Sequence, residues 1–319
     1  LDPSWTNKRF KENKMNYDVI GDVHGQFEKL TALLQHLGYR ESNGAWRHAD
    51  RTAIFVGDLI DRGPRQVATV ELVRRMVEAG TARCILGNHE FNAIAWATPD
   101  TENPGEHLRR HGRAGNRKQH ADFLAEVEET PLHAELIAWF KTLPLWLDLD
   151  QIRIVHACWN DSCMDQLRPY LGPDQTLTDE LIRSSNQKGH WAHDAVEVLC
   201  KGLEVELPKG ALYHDKDGKA RTATRIRWWE PDLSTYRKAA LATQDILELI
   251  PDTPMPNDDR VKPYTGIPVF FGHYWRDDQP MVIAPNMACL DFSAAKGCPL
   301  VAYRWEGEAR LATERFVWL

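Results

Sequence analysis

"VGDLIDRGP", Val56 to Pro64, is the stretch on which the rest of the chain turns. Two aspartates three apart, an arginine between the second of them and a glycine, and a closing proline stand directly behind the apolar "TAIF" (52–55). A buried strand that ends in this much charge sets carboxylates and a guanidinium at one edge of a sheet, which is where open α/β sheets bind their ligands.

Four other runs repeat the pattern. "YDVI" (17–20) leads into "GDVHG", "RCIL" (83–86) into "GNHE", "IRIV" (152–155) into "HACWND" and "PVFF" (268–271) into "GHYW". Each is a short apolar run cut off by a polar cluster, the signature of a buried strand. Between the first three, "FEKLTALLQHLG" (27–38) and "QVATVELVRRMVEAG" (66–80) place apolar residues at three- and four-residue steps and finish on glycine, which predicts helices. Strands alternating with helices predict an α/β fold in which five strand ends converge. "HADFLAEVEETPLHAELIAWFKTL" (120–143) predicts two helices broken at Pro131, and residues 160–265 are expected to form a helical insertion or cap over the site. The tail returns to strand character in "MACLDF", "LVAYRW" and "ERFVWL", enough for a second sheet.

Composition narrows the function classes. A chain of 319 residues, 27% charged and 43% hydrophobic, suits one large domain, here 15–319. The first sixteen residues are too polar for a signal peptide, and residues 1–14 read as a tail added to the natural chain, with Met15 as its start. A net charge of -7 and a pI near 6.0 lack the basic footprint of a general nucleic-acid binder, so no stable nucleic-acid partner is expected. No run approaches the length of a membrane span, so no membrane partner is expected either. Six cysteines without a CxxC pair read as reduced thiols in a cytoplasmic protein.

The strand ends carry a donor set for metals. Asp22 and His24, one residue apart in extended backbone, point to the same side. Asp58 ends the next strand, and its two carboxylate oxygens allow it to bridge two ions. Asn88 adds an amide oxygen, while His156 and His273 add imidazoles. Oxygen and nitrogen donors without thiolate suit iron, manganese or zinc. Six ligands are too many for one ion with an open face, so two are expected: one on Asp22, His24 and Asp58, the other on Asp58, Asn88, His156 and His273. Cations paired about 3.5–4 Å apart clamp a phosphoryl group.

"GDVHG", "GDLIDRG" and "GNHE", in this order and followed by the later histidines, resemble the calcineurin-like metallophosphoesterases and, within them, the phosphoprotein phosphatase superfamily. "YDVIGDVHG", "FVGDLIDRGP" and "NMACLDFSAAKGCPLVAYRW" resemble its bacterial branch, in which symmetrical dinucleoside tetraphosphatases and small Ser/Thr phosphatases share these signatures. The resemblance covers 17–92 well and 152–157 and 268–305 more loosely. It implies a β-sandwich of two mixed sheets flanked by helices, and two divalent ions, manganese first with iron, zinc or magnesium as alternatives. It also implies hydrolysis by direct attack of a metal-bound hydroxide.

In the family pattern His89 is the acid that protonates the leaving oxygen, Asp61 holds it, and Arg62 grips the phosphate beside Asn88. Arg225 and Arg227 in "TRIRWW" are the candidates for a second family arginine. Pro64 suits the first turn of the following helix, whose free N–H groups would face the same anion. The first substrate expected is a phosphate monoester, on a phosphoprotein serine or threonine or on a small molecule. The alternative is a nucleotide substrate, a dinucleoside polyphosphate. It is favoured by the basic run "EHLRRHGRAGNRKQH" (106–120), read as a flexible clamp, and by Trp159 and Trp275 as surfaces for a nucleobase. A non-catalytic phosphate-binding scaffold is the reading from another class.

Overall fold

The computed structural model describes residues 16–214 and 218–319; the expected N-terminal tail and Met15 lie outside them. Two sheets carry the fold. The first runs in the order Phe316–Trp318, Val301–Trp305, Asn16–Ile20, Arg51–Phe55, Ala82–Cys84. Its last three strands are parallel, with Tyr17 beside Thr52 and Ala53 beside Ala82, while Val301–Trp305 pairs antiparallel to both of its neighbours. The second sheet is Met287–Cys289, Val269–Phe271, Arg153–Val155, Trp146–Asp148, parallel except for the last pair.

Period-two alternation explains why the sheets stack. Val19, Ile54 and Tyr303 share an inner cluster with Ile154, Phe270 and Ala288 of the other sheet. Their chain neighbours Ile20, Phe55, Val155 and Phe271 belong to a second cluster on the outer faces, under the helices. Strands buried on both faces show no polar alternation in sequence, which is why they read as short apolar runs. The tail does not build a sheet of its own, as the sequence suggested. Met287–Cys289 extends the second sheet, and the last two strands close the edge of the first, because pairing partners far apart in the chain leave no local signal.

The helices Phe27–Leu37 and Gln66–Glu78 cover the outer face of the first sheet as their periodicity predicts, the former ended by Gly38 at φ 98°. Pro131 opens the helix Pro131–Phe140. Pro64, however, precedes its helix instead of opening it. The N–H groups of Gln66 and Val67 are held by the Glu126 carboxylate at 2.7 and 2.9 Å, so this helix end is capped by an acid and does not face an anion site. Residues 160–265 supply helices such as Trp191–Lys201 and a pair of strands, Glu204–Glu206 with Ala223–Arg225. This segment lies on the outer face of the second sheet: Trp228 packs 4.8 Å from Phe271 and donates its indole N–H to the Ala157 carbonyl. Among the described residues no helix is long and apolar enough to cross a membrane.

Candidate metal centre

The first three parallel strand ends of one sheet and two strand ends of the other deliver their polar clusters to one place. Asp22, His24, Asp58, Asn88, His89, Asp61 and His156 are all buried there, and His273 joins them. Imidazole nitrogens and carboxylate oxygens of His24, Asp58 and His89, and again of Asp58, His156 and His273, lie within 4.8 Å of one another. Asp58 belongs to both groups. His24 Nε2 is 3.7 Å from Asp58 Oδ2, and His156 Nε2 is 3.4 Å from Asp58 Oδ1. The Asn88 side-chain oxygen lies 3.1 Å from His156 Nε2 and 2.7 Å from His273 Nδ1.

Backbone geometry makes the convergence possible. His24, Asp58, Asp61, Arg62 and His273 all have φ between 47° and 71°, in the left-handed region that side chains other than glycine seldom adopt. Neighbouring glycines make room. A Cβ on Gly272 would sit 1.8 Å from Asp22 Oδ1, and one on Gly87 would sit 2.2 Å from the Asp58 amide nitrogen, so neither position accepts a side chain without moving the centre. The 57–63 turn is pinned from below by two buried residues. Glu90 accepts the N–H groups of Gly87, Asp58, Leu59 and Ile60 at 3.1, 2.9, 2.7 and 3.3 Å. Gln66 accepts the Asp61 N–H at 2.7 Å and donates to the Gly63 carbonyl.

The donors fit a cation pair. His24 donates Nδ1–H to the Ile60 carbonyl and His156 donates Nδ1–H to the Val56 carbonyl, which turns both Nε2 atoms toward the Asp58 carboxylate, that of His24 also meeting the Arg62 guanidinium. Imidazole nitrogens and a carboxylate gathered this closely form a donor set that suits cations. Asp22 accepts the His273 N–H on Oδ2, while its buried Oδ1 has no hydrogen-bond partner among the described residues. Five carboxyl groups, Asp22, Asp58, Asp61, Glu90 and Asp291, are buried around the centre, and the Arg62 guanidinium lies beside it. So many buried carboxyl groups in one place call for positive charge, which divalent cations supply.

The same imbalance displaces the titrations. Burial and then the nearby charge of Asp291 raise the Asp22 carboxyl well above its usual range. His156 is penalised by burial, but Asp58 outweighs this and raises it to about 10, so in the absence of a metal a proton takes the cation's place. His24, buried and beside His89, is lowered to about 3. Burial and then Asp58 push Glu90 up to about 7.

Next to the cluster, His89 Nδ1 and Asp61 Oδ2 are 2.5 Å apart. Arg62 reaches His24 Nε2 at 2.9 Å and His89 Nε2 at 3.3 Å, its guanidinium spanning the two imidazoles. Arg225 lies close enough for its charge to bear on His273, though its guanidinium pairs with Glu204 at 3.3 Å. Arg227 bonds to Glu230 and to the Lys238 carbonyl, not to any member of the cluster. Trp159 is buried with its ring under the Arg153 guanidinium at 4.6 Å, so one of its faces is taken. Trp275, half exposed, helps to line a recess of about 510 Å³ with Trp229, Tyr274, Arg225 and Arg276, next to His273.

The basic run is built into the protein more firmly than a free clamp would be: Arg109 bonds to Asn92 and Gln119, Arg117 forms a two-point pair with Glu128, and His111 stacks on Trp96. Sequence reasoning missed Glu90, Gln66, His120 and Asp291. Only Asp291 had a findable signal, standing two residues beyond the strand Met287–Cys289 as the other acids stand beyond theirs.

Residues 15–207 match the calcineurin-like phosphoesterase family. The symmetrical bis(5'-nucleosyl)-tetraphosphatase of Janthinobacterium sp. strain Marseille is 33% identical over 294 residues, 89% of this chain and 90% of that one. The asymmetrical bis(5'-nucleosyl)-tetraphosphatase PrpE of Oceanobacillus iheyensis is 32% identical over 144 residues, 45% of this chain and 55% of that one, so the chain spans about half the length of this relative. Among solved structures, a protein serine/threonine phosphatase from Saccharomyces cerevisiae with similarity to human phosphatase PP5 shares the fold at 13% identity. It matches over 97% of this chain and 80% of its own with a TM-score of 0.51.

Proposed function

The chain belongs to the calcineurin-like phosphoesterase family and is a metal-dependent phosphohydrolase, and from that premise we propose that it cleaves a phosphoanhydride bond of a dinucleoside polyphosphate. Asp22, His24, Asp58, Asn88, His156 and His273 would hold the two divalent ions. Such a pair polarises phosphoryl oxygens and supplies an activated water. Arg62 orients the phosphate through its planar fork. His89 delivers a proton to the leaving oxygen from Nε2 while Nδ1 stays on Asp61, a transfer worth about 10² to 10⁴ in rate. No covalent nucleophile is needed. Arg225, which lines the recess, meets a distal phosphate in this reading, and Arg227, bonded to Glu230 and the Lys238 carbonyl, does not.

The observation that carries the substrate is the near full-length similarity to the symmetrical tetraphosphatase. The recess beside His273, walled by Trp229, Tyr274 and Trp275 and flanked by two arginines, suits a nucleobase and its phosphate. Six unpaired thiols, five of them buried, suit a reducing cytoplasm. The second reading, hydrolysis of phosphate monoesters on proteins or small molecules, rests on the same centre, and fits because nothing in that centre needs a nucleoside.

The two are separated by assaying the protein with manganese, iron, zinc or magnesium against a dinucleoside tetraphosphate, a phosphopeptide and an aryl phosphate. The expected result is the highest kcat/KM for the dinucleotide, split into two nucleoside diphosphates. Preference for the phosphopeptide would establish the monoester reading instead.

A further inference from the structure

Asp61 holds two imidazoles, not one. Its Oδ2 meets His89 Nδ1 at 2.5 Å, and its Oδ1 meets His120 Nδ1 at 2.8 Å. His120 is 2% exposed and comes from the junction of the helices Ala114–Gln119 and Ala121–Val127. Its ring lies 5.0 Å from Phe123 and 6.1 Å from Trp96, and its backbone N–H is bonded to the Arg117 carbonyl, so its orientation is set by packing. Only one of its nitrogens is used: His120 Nε2 is buried and has no hydrogen-bond partner among the described residues. Asp61 itself stands on left-handed backbone at φ 69° and is buried.

A carboxylate bonded on one oxygen can swing about its last torsion; one bonded on both cannot swing without breaking a buried hydrogen bond. We propose that His120 is a positioning residue for the hydrolytic reaction. By donating Nδ1–H to Asp61 Oδ1 it locks the plane of that carboxylate, which in turn fixes the ring of His89 with Nδ1 inward and Nε2 toward the metal centre. The basic segment 106–120 thereby takes part in catalysis through its last residue, whatever its charges bind. The inference rests on the assignment of His89 as the acid.

The experiment compares H120L, H120N and H120Q with H89N and the double variant H89N/H120L, as metal-loaded enzymes checked for metal content and unfolding midpoint. Asparagine places an N–H near the position of Nδ1, whereas glutamine places it near Nε2. Substrates are an aryl phosphate with a nitrophenolate leaving group, which departs without a proton, and a substrate whose leaving oxygen requires one. H120L and H120Q should lower kcat about 10- to 100-fold for the second substrate with KM little changed. They should hardly affect the first, H120N should recover most of the loss, and the double variant should be no slower than H89N.

Equal slowing of both substrates by H120L, no rescue by H120N over H120Q, or further slowing of H89N by H120L would overturn the proposal. If H120L does not fold, the contrast between H120N and H120Q decides alone. A flat response of H89N itself to the leaving group would remove the acid assignment and the inference with it. Discrimination by H89N without discrimination by H120L would remove the inference only.

Discussion

Glu90→Gln tests how the centre is supported. The carboxylate takes two N–H groups on each oxygen, Leu59 and Ile60 on Oε1 and Asp58 and Gly87 on Oε2. Glutamine keeps one oxygen and turns the other into a donor, so whichever way the amide lies, two buried N–H groups face an NH₂ group. Each buried donor left unpaired costs about 1–3 kcal/mol, and the pair therefore about 2–6 kcal/mol. Against a total stability of about 5–15 kcal/mol this is a large fraction. With a urea slope of about 3 kcal/mol per M the midpoint should fall by roughly 0.7–2 M. The measurement belongs at pH 8, above the raised value near 7, where the wild-type group is ionised. Turnover should fall as well, because the 57–63 turn carries Asp58, Asp61 and Arg62. A midpoint shift below about 0.3 M together with unchanged turnover would refute the reasoning, since the slope makes that less than 1 kcal/mol.

Three further outcomes are expected. Asp58→Asn should lose bound metal and activity together, because Asp58 stands in both ligand groups; metal analysis showing two ions per chain would exclude a bridging role. Neutralising Arg110, Arg113 and Lys118, the exposed basic residues of the run for which no ion pair is observed among the described residues, should raise KM for a dinucleoside tetraphosphate more than for an aryl phosphate, by several-fold at low salt and less at high salt. Asp61 is pushed up by burial but held below the usual carboxylate range by its bonds to His120 and then His89. The stability it contributes is present above its unfolded pKa of about 3.9 and lost as pH falls through the lowered folded value. The stability gap between wild type and Asp61→Asn, followed by urea unfolding, should therefore narrow below about pH 4; a gap that widened on acidification would reverse the assignment.

The parts of this protein that sequence discloses are those encoded locally. A run such as "TAIFV" switching to "GDLIDRG" marks both a strand and its polar end within a dozen residues, and the residues that converge at the candidate centre follow directly. Sheet membership was not legible, since "LVAYRW" pairs with a strand some 280 residues earlier. Nor was the support of the centre. Glu90 looks like any acid near a helix start until its four N–H partners from two loops are seen, and His120 sits at the end of the run read as a flexible clamp. Pro64 misled for a related reason, because the acid that caps its helix, Glu126, lies on another helix entirely.

The five left-handed residues set a limit on how this enzyme can be improved. At His24, Asp58, Asp61, Arg62 and His273 the left-handed backbone costs about 1–2 kcal/mol each, a strain that glycine would not carry, yet the proposed function gives each of those side chains a task that glycine cannot perform. Variants kept for turnover must therefore find added robustness elsewhere, on the helices and the far edges of the sandwich.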